Sequence, residues 1–377
     1  MKPIEWGATS AQLRGPVLPG QGRVANAIGA YAGGYALYRG LAEASGILDP
    51  GHRANLADTS PVVPIGPFNQ WFDGDKIVTF DPWGHRVAQD FASEIAAGFD
   101  VRPTIAVAEG RLRMSEISAA MDMGRLKADG KTLSRKGDIS VVKISIEPVW
   151  WLPGIARRLG LEEASLRRAL HRSTGGMYPD LVKRPDLQLF LPPIGGTSVY
   201  LFGDLGQMGK SNPSVACRVH DECNGSDVFG SDLCTCRPYL AYGVEECIAM
   251  AQAGGLGVVA YNRKEGRALG EVVKLLVYNA RKACVSGDRP EAYFDHTERV
   301  AGIQDARFQD LSVDVLHWLG ISRIERWISM SHLKRDAVTS AGIRIVRQVA
   351  IPEALVPAHA DVEIEAKKAA GYFSEPA

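Results

Sequence analysis

The stretch RVHDECNGSDVFGSDLCTCR, from Arg218 to Arg237, places Cys223, Cys234 and Cys236 within fourteen residues and surrounds them with Asp and Glu. Thiols gathered this closely in a long chain fit a metal ion better than chance or a disulfide framework. A C-x-C pair is a poor half of an ordinary structural zinc ribbon, whose knuckles usually hold about two to four residues between ligands. Three thiolates with an open fourth position suit a catalytic zinc, whereas nearby Cys217 would complete a closed four-thiolate structural set. His220 is a further candidate for the fourth position, although a histidine beside a metal cluster more often supports the ligands than joins them. On spacing alone both readings stand.

At 377 residues, with 46% hydrophobic and 23% charged content, the chain has the composition of a globular protein with room for two cored domains. Lys plus Arg and Asp plus Glu balance at 43 each, so no global basic field exists to hold nucleic acid, and an anionic partner has to be held by a local pocket. Four of the six cysteines bunch between Cys217 and Cys236, which argues for reduced thiols and a cytoplasmic setting. Met1 to Arg14 lacks the apolar core of a signal peptide. Val24 to Leu41 is rich in Ala, Gly and Tyr but carries Asn26 and Arg39, and reads as a closely packed helix rather than a membrane span.

The first seventy residues are rich in Gly and Pro and read as surface-wrapping segments. A helix is expected at Arg86 to Ala97, strands at Thr104 to Ala108 and Ile139 to Ile146, and a helix at Leu161 to His171. Pro192, Pro193, Gly195 and Gly196 form a breaker cluster taken as the boundary between an N-terminal domain, 1–195, and a second domain, 196–355. There strands at Val199 to Phe202, Val215 to Val219, Gly257 to Tyr261, Arg323 to Ile328 and Arg344 to Val349 alternate with helices. The helices are expected at Val244 to Gln252, Leu269 to Ala283, Asp310 to Leu319 and His332 to Ala341. This predicts an α+β fold with α/β-like alternation, followed by a loosely docked terminal helix in the tail, 356–377.

RVHDEC, CTC and RKEGR together resemble the diagnostic motifs of GTP cyclohydrolase II, the zinc enzyme that opens the imidazole ring of GTP. The resemblance implies that Cys223, Cys234 and Cys236 hold Zn2+ and that Cys217 lies outside the set. It places the family's catalytic Tyr on Tyr278 in VYNAR and its Asp-x-Arg pair on Asp305 and Arg307 in QDARF, the Asp as proton acceptor and the Arg as phosphate contact. Alone, Tyr278 would read as a core aromatic and Asp305 as a helix cap. Glu222 is the second candidate for moving protons. The implied nucleotide contacts are Arg218, His220, Asp221, Glu222, Glu265, Gly266, Arg267 and Lys334, and the family implies a homodimer.

The departures are informative. Where the family has T-N-N-P-K-K, this chain has SMSHLK, which keeps a hydroxyl at Ser329 and the cation of Lys334 but loses both amides; Tyr239 replaces a Gln that contacts the nucleotide. Lost amides change which base edges can be satisfied, so base selectivity is expected to differ. FDPWGHRV, VRPTIA, GGMYPDL and RPDLQLFLPPIGG further resemble the uracil-catabolism branch of the family. That branch implies ring opening of a uracil nucleotide, UMP, toward a ribosylurea phosphate. The alternatives are a GTP cyclohydrolase II of flavin synthesis and a non-catalytic, zinc-stabilised nucleotide sensor.

Overall fold

A computed structural model describes residues 4–18, 26–28, 35–190, 195–231, 234–285, 287, 289–357, 360–370 and 372. Pro192 and Pro193 of the expected boundary lie outside these residues. The chain forms two compact units, and each is discontinuous in sequence. The first contains residues 1–108, 144–198 and 314–320; the second contains 109–143, 199–313 and 321–377.

The first unit is organised around indoles. Trp71 stacks on Trp318 with ring centroids 6.1 Å apart, and its Nε1 donates to the Trp318 carbonyl at 2.8 Å. Trp318 Nε1 in turn donates to the Pro82 carbonyl, which satisfies both buried N–H groups. Asp314 Oδ2 accepts from Val78 N and Thr79 N, so residues 314–320 close this core although they lie more than two hundred positions downstream. The helix expected at Asp310 to Leu319 is instead a 3-10 turn, Gln309–Leu311, and a short helix, Asp314–Trp318. The helix expected at Arg86 to Ala97 is broken into Val87–Asp90 and Ala92–Ala96. Within Val24 to Leu41, the described residues form a strand, Ala27–Ile28, and the start of a helix, Ala36–Ala44. Leu37, Tyr38 and Leu41 of that helix are exposed, so it is not closely packed.

Most of a seven-stranded sheet lies in the second unit. Its strands are β1 (Ile105–Leu112), β2 (Ile139–Ile146), β3 (Thr197–Gly203), β4 (Val215–Asp221), β5 (Leu256–Asn262), β6 (Arg323–Ile328) and β7 (Arg344–Val349), in the order β7-β6-β4-β5-β3-β2-β1. Strand β4 pairs in parallel with β5 and β6, and β6 with β7. A parallel strand flanked on both sides and covered on both faces reads as a continuous buried run, and every residue of β4 is buried. Helices α1 (Ser115–Asp122) and α2 (Cys236–Gln252) share a core with the sheet through Ile117, Ala120, Val244, Ile248, Phe202 and Val259.

Four further helices of this unit are α3 (Glu271–Lys282), α4 (Tyr293–Ala301), α5 (His332–Ser340) and α6 (Asp361–Ala369). Helix α2 begins eight residues before its expected start. Pro238 falls in its first turn, where a missing N–H costs nothing, so the helix extends back through it to Cys236. Val272, Leu275 and Leu276 follow helical spacing on α3, yet all three face outward, and the opposite side of the helix carries the chemistry described below.

Candidate active site and metal centre

In sheets of parallel strands, ligands bind beyond the carboxyl ends of the strands. The same holds here: β4 ends in Asp221 and β6 runs into Ser329, both of which border one pocket, as does Lys264, two residues beyond the end of β5. Alternation along β4 sends Arg218 and His220 toward the pocket, while Cys217 and Val219 take the other face. Cys217 is fully buried against the sheet, and burial pushes its thiol up; it is not part of the thiol cluster.

Cys223 follows the end of β4, and Cys234 and Cys236 flank the first residue before α2. Their three sulfurs lie within 4.8 Å of one another, with 3.4 Å between Cys223 Sγ and Cys234 Sγ. A tetrahedral zinc with bonds to sulfur of about 2.3 Å holds its ligands about 3.8 Å apart, so the cluster fits zinc with little adjustment. Three thiols at this distance share protons. The hydrogen bond with Cys234 pushes Cys223 up to about 12, while Cys234 is held far below its ordinary value by hydrogen bonds from Cys223 and Cys236. All three become thiolates together only beside a cation, which is the chemistry expected of a metal ligand set. Lys274 on α3 supplies one positive charge, its Nζ 2.8 Å from Cys223 Sγ and 2.9 Å from Glu265 Oε1.

A network of hydrogen bonds holds the approach to the thiols. Arg218 donates to the Ile328 carbonyl at 2.9 Å and to His220 Nδ1 at 2.9 Å, and its guanidinium lies over the Tyr239 ring. It can do so because Gly243 on α2 has no side chain; a Cβ there would come within 2.4 Å of Arg218 Cδ. Arg218 only donates, so His220 Nδ1 accepts and the Nε2–H donates to Asp227 at 3.0 Å. With both ring nitrogens engaged, His220 is a relay and not a fourth ligand, and burial keeps it neutral. Asp227 also accepts from Cys223 N and from the Tyr261 hydroxyl, both at 2.9 Å, which ties the loop carrying Cys223 to β4 and β5.

Asp221 Oδ2 accepts from Lys334 at 2.8 Å, Gln309 at 3.0 Å and Arg307 at 3.1 Å. Burial alone would raise this carboxyl, but Lys334 and Arg307 hold it well below the usual range. Lys334 also donates to the Val219 carbonyl; burial, with Arg307 and Arg218 nearby, lowers its ammonium to about 8 against the pull of Asp221.

All the expected site residues except Asp305 border the pocket: Arg218, His220, Asp221, Glu222, Cys223, Cys234, Cys236, Tyr239, Glu265, Gly266, Arg267, Tyr278, Arg307, Ser329 and Lys334. Asp305 stands behind Arg307, with both carboxylate oxygens accepting from that guanidinium. Burial opposes its ionisation, but Arg307 outweighs it and holds the carboxyl low. Glu222 is half-buried, and burial together with Glu265 raises its carboxyl. The Tyr239 hydroxyl is turned to Ile351 N at 3.5 Å, so the residue offers the pocket its ring. Ser329 Oγ accepts from Ser331 N. In the KEGR turn, Gly266, Arg267 and Ala268 are left-handed in succession, with φ of 59°, 59° and 62°, a strained path of the kind that collects at functional sites. It seats the Arg267 guanidinium on the rings of Tyr293 and Phe294.

Residues 1–173 match the family described as GTP cyclohydrolase N terminal, and residues 198–350 match GTP cyclohydrolase II. The chain is 50% identical to Uracil-regulated protein 1 of Schizosaccharomyces pombe over 99% of its own length and 86% of the relative's. The chain belongs to the GTP cyclohydrolase II superfamily. Within that superfamily it is 48% identical to the putative GTP cyclohydrolase URC1 of Lachancea kluyveri, over 99% of this chain and 85% of the relative. It is 31% identical to GTP cyclohydrolase-2 of Hahella chejuensis, over 41% of this chain and 70% of the relative.

Sequence reasoning missed Lys274, Asp227, Gln309, Glu363 and Lys367. Lys274 was within reach, because it sits four residues before Tyr278 and therefore on the same helix face. Asp227 follows Cys223 by four residues inside the motif itself. Gln309, Glu363 and Lys367 carry no local signal. No helix among the described residues is long and apolar enough to cross a membrane.

Proposed function

We propose that this chain is a zinc-dependent cyclohydrolase that opens the pyrimidine ring of UMP. The observation that carries this reading is the thiol trio set in the wall of a pocket that also holds a half-buried carboxyl, a phenol and several cations. Uracil is favoured over guanine by identity with Uracil-regulated protein 1 along nearly the whole chain, by the loss of the amides at SMSHLK, and by Tyr239.

Zinc held by Cys223, Cys234 and Cys236 would supply a Lewis acid that acidifies water and polarises a carbonyl. The first water adds at C4 of the uracil and breaks the bond from N3 to C4, giving a carboxylic acid and a free ureido nitrogen. The second adds at C6 and releases N1, so that two waters convert UMP into ribosylurea phosphate and a three-carbon oxo acid. Glu222 moves the protons in this reading, which its position on the pocket wall supports, while Asp305 has both oxygens committed to Arg307. The Tyr278 phenol, which burial keeps protonated, can donate to a departing nitrogen. Asp305 orients Arg307, and Arg307, Arg218 and Lys334 provide the cationic wall for a monophosphate, with the Arg forks suited to its oxygens.

A GTP cyclohydrolase II is the second reading, favoured by the similarity to GTP cyclohydrolase-2 and by the name of the Lachancea kluyveri relative. The two are separated by incubating the zinc-loaded protein with UMP and with GTP, while following loss of uracil absorbance and appearance of formate. Loss of uracil absorbance with UMP alone is expected. Conversion of GTP with UMP untouched refutes the proposal, and no turnover of either favours a sensor.

A further inference from the structure

The match to GTP cyclohydrolase II ends at residue 350, yet the pocket does not. Glu363, Lys367 and Tyr372 border it, and all three lie on or just after α6. The helix is not the loosely docked tail expected from composition: Ala360, Glu363 and Ala366, spaced by three, are 1%, 5% and 2% exposed. At its far end Tyr372 packs edge-on against His332 at the start of α5, with ring centroids 5.0 Å apart.

What α6 grips is specific. Thr235, the residue between Cys234 and Cys236, donates its backbone N–H to Glu363 Oε2 at 3.0 Å. Lys367 forms an ion pair with Glu363 Oε1 and reaches Thr235 Oγ1 at 3.4 Å. Thr235 is also the N-cap of α2, and its side chain makes no capping hydrogen bond there. The backbone directions at this one residue set where both neighbouring thiols point. A buried carboxylate and its paired ammonium thus hold the hinge of two of the three sulfurs, although neither is among the donors that converge there.

We propose that α6 is a strut of the metal centre, with Glu363, supported by Lys367, a positioning residue that fixes the Cys234-Thr235-Cys236 turn in its metal-ready geometry. The inference rests on the zinc reading of the thiols and is independent of the substrate. The test is release of zinc from the full-length protein to the chromophoric chelator 4-(2-pyridylazo)resorcinol, alongside zinc-to-protein ratio and far-UV circular dichroism. Outer partners of metal ligands typically contribute about 10- to 100-fold in metal affinity, and Glu363→Ala is expected to lose zinc affinity by that factor. Glu363→Gln, which keeps an acceptor for the Thr235 N–H, should recover part of it. Loss of thermal stability in the metal-free protein with wild-type zinc release would mark Glu363 as merely structural and overturn the proposal. If Glu363→Ala does not fold, Lys367→Met decides: faster release supports the strut, and wild-type release overturns it. A wild-type protein that retains no zinc would instead defeat the metal reading itself.

Discussion

Lys334 is predicted to weaken the fold that holds it. Its ammonium is buried beside Arg307 and Arg218, and one carboxylate, Asp221, serves both Lys334 and Arg307. The fall from the ordinary 10.5 to about 8, at about 1.4 kcal/mol per tenfold change, corresponds to about 3 kcal/mol against keeping it charged in the native state. The sign follows from proton counting. Between pH 8 and 10.5 the unfolded chain binds the Lys334 proton and the folded chain does not, so stability rises with pH through that window and levels off above it. Urea unfolding of wild type and Lys334→Met at pH 7 and at pH 10 measures the effect, since other titrating groups cancel in the difference between the two proteins. Wild type should gain about 2–3 kcal/mol relative to the variant between those pH values. At pH 7 the variant should be at least as stable as wild type, because Asp221 keeps Arg307 and Gln309, yet it should bind UMP more weakly. Parallel pH profiles, or a variant several kcal/mol less stable at pH 7, would show that Lys334 is a net stabilising ion-pair partner and refute the reasoning.

Two further predictions concern the thiols and the KEGR turn. Cys234→Ser should abolish zinc binding and activity together, while Cys217→Ser, on the opposite face of β4, should leave the zinc-to-protein ratio measured by atomic emission unchanged; zinc loss in the second variant would revive a four-thiolate site. At Gly266 the backbone is left-handed with φ of 59°, and a Cβ would meet Lys274 Cβ at 3.2 Å. Gly266→Ala should therefore cost about 1–2 kcal/mol in denaturant unfolding. It should also lower turnover by displacing Lys274 from Cys223, and wild-type stability and turnover would count against the strained-turn account.

How much was legible in the sequence varied with the range of the interaction that decided it. Strands such as Ile139–Ile146, Arg323–Ile328 and Arg344–Val349 could be read to the residue because apolar patterning and β-branched content are local properties. The start of α2 could not, because a proline such as Pro238 fits a loop as well as a first helical turn, and only the packed chain decides between them. The surface helix Ala36–Ala44 was misjudged because Ala and Tyr content does not say whether a partner face exists.

Residue patterning alone carried the strand–helix alternation of the second unit, and the resemblance of RVHDEC and CTC to the family's motifs singled out Cys223, Cys234 and Cys236, since spacing left Cys217 a candidate. Tertiary structure decided the rest. It alone brought residues 314–320 into the tryptophan core of the first unit and residues 109–143 into the second, placed both oxygens of Asp305 on Arg307, and set Glu363 against Thr235, 128 residues away. The physical reason is that a buried polar group takes whichever partner the packed chain delivers to it, and that delivery depends on long-range packing that no local pattern of residues encodes.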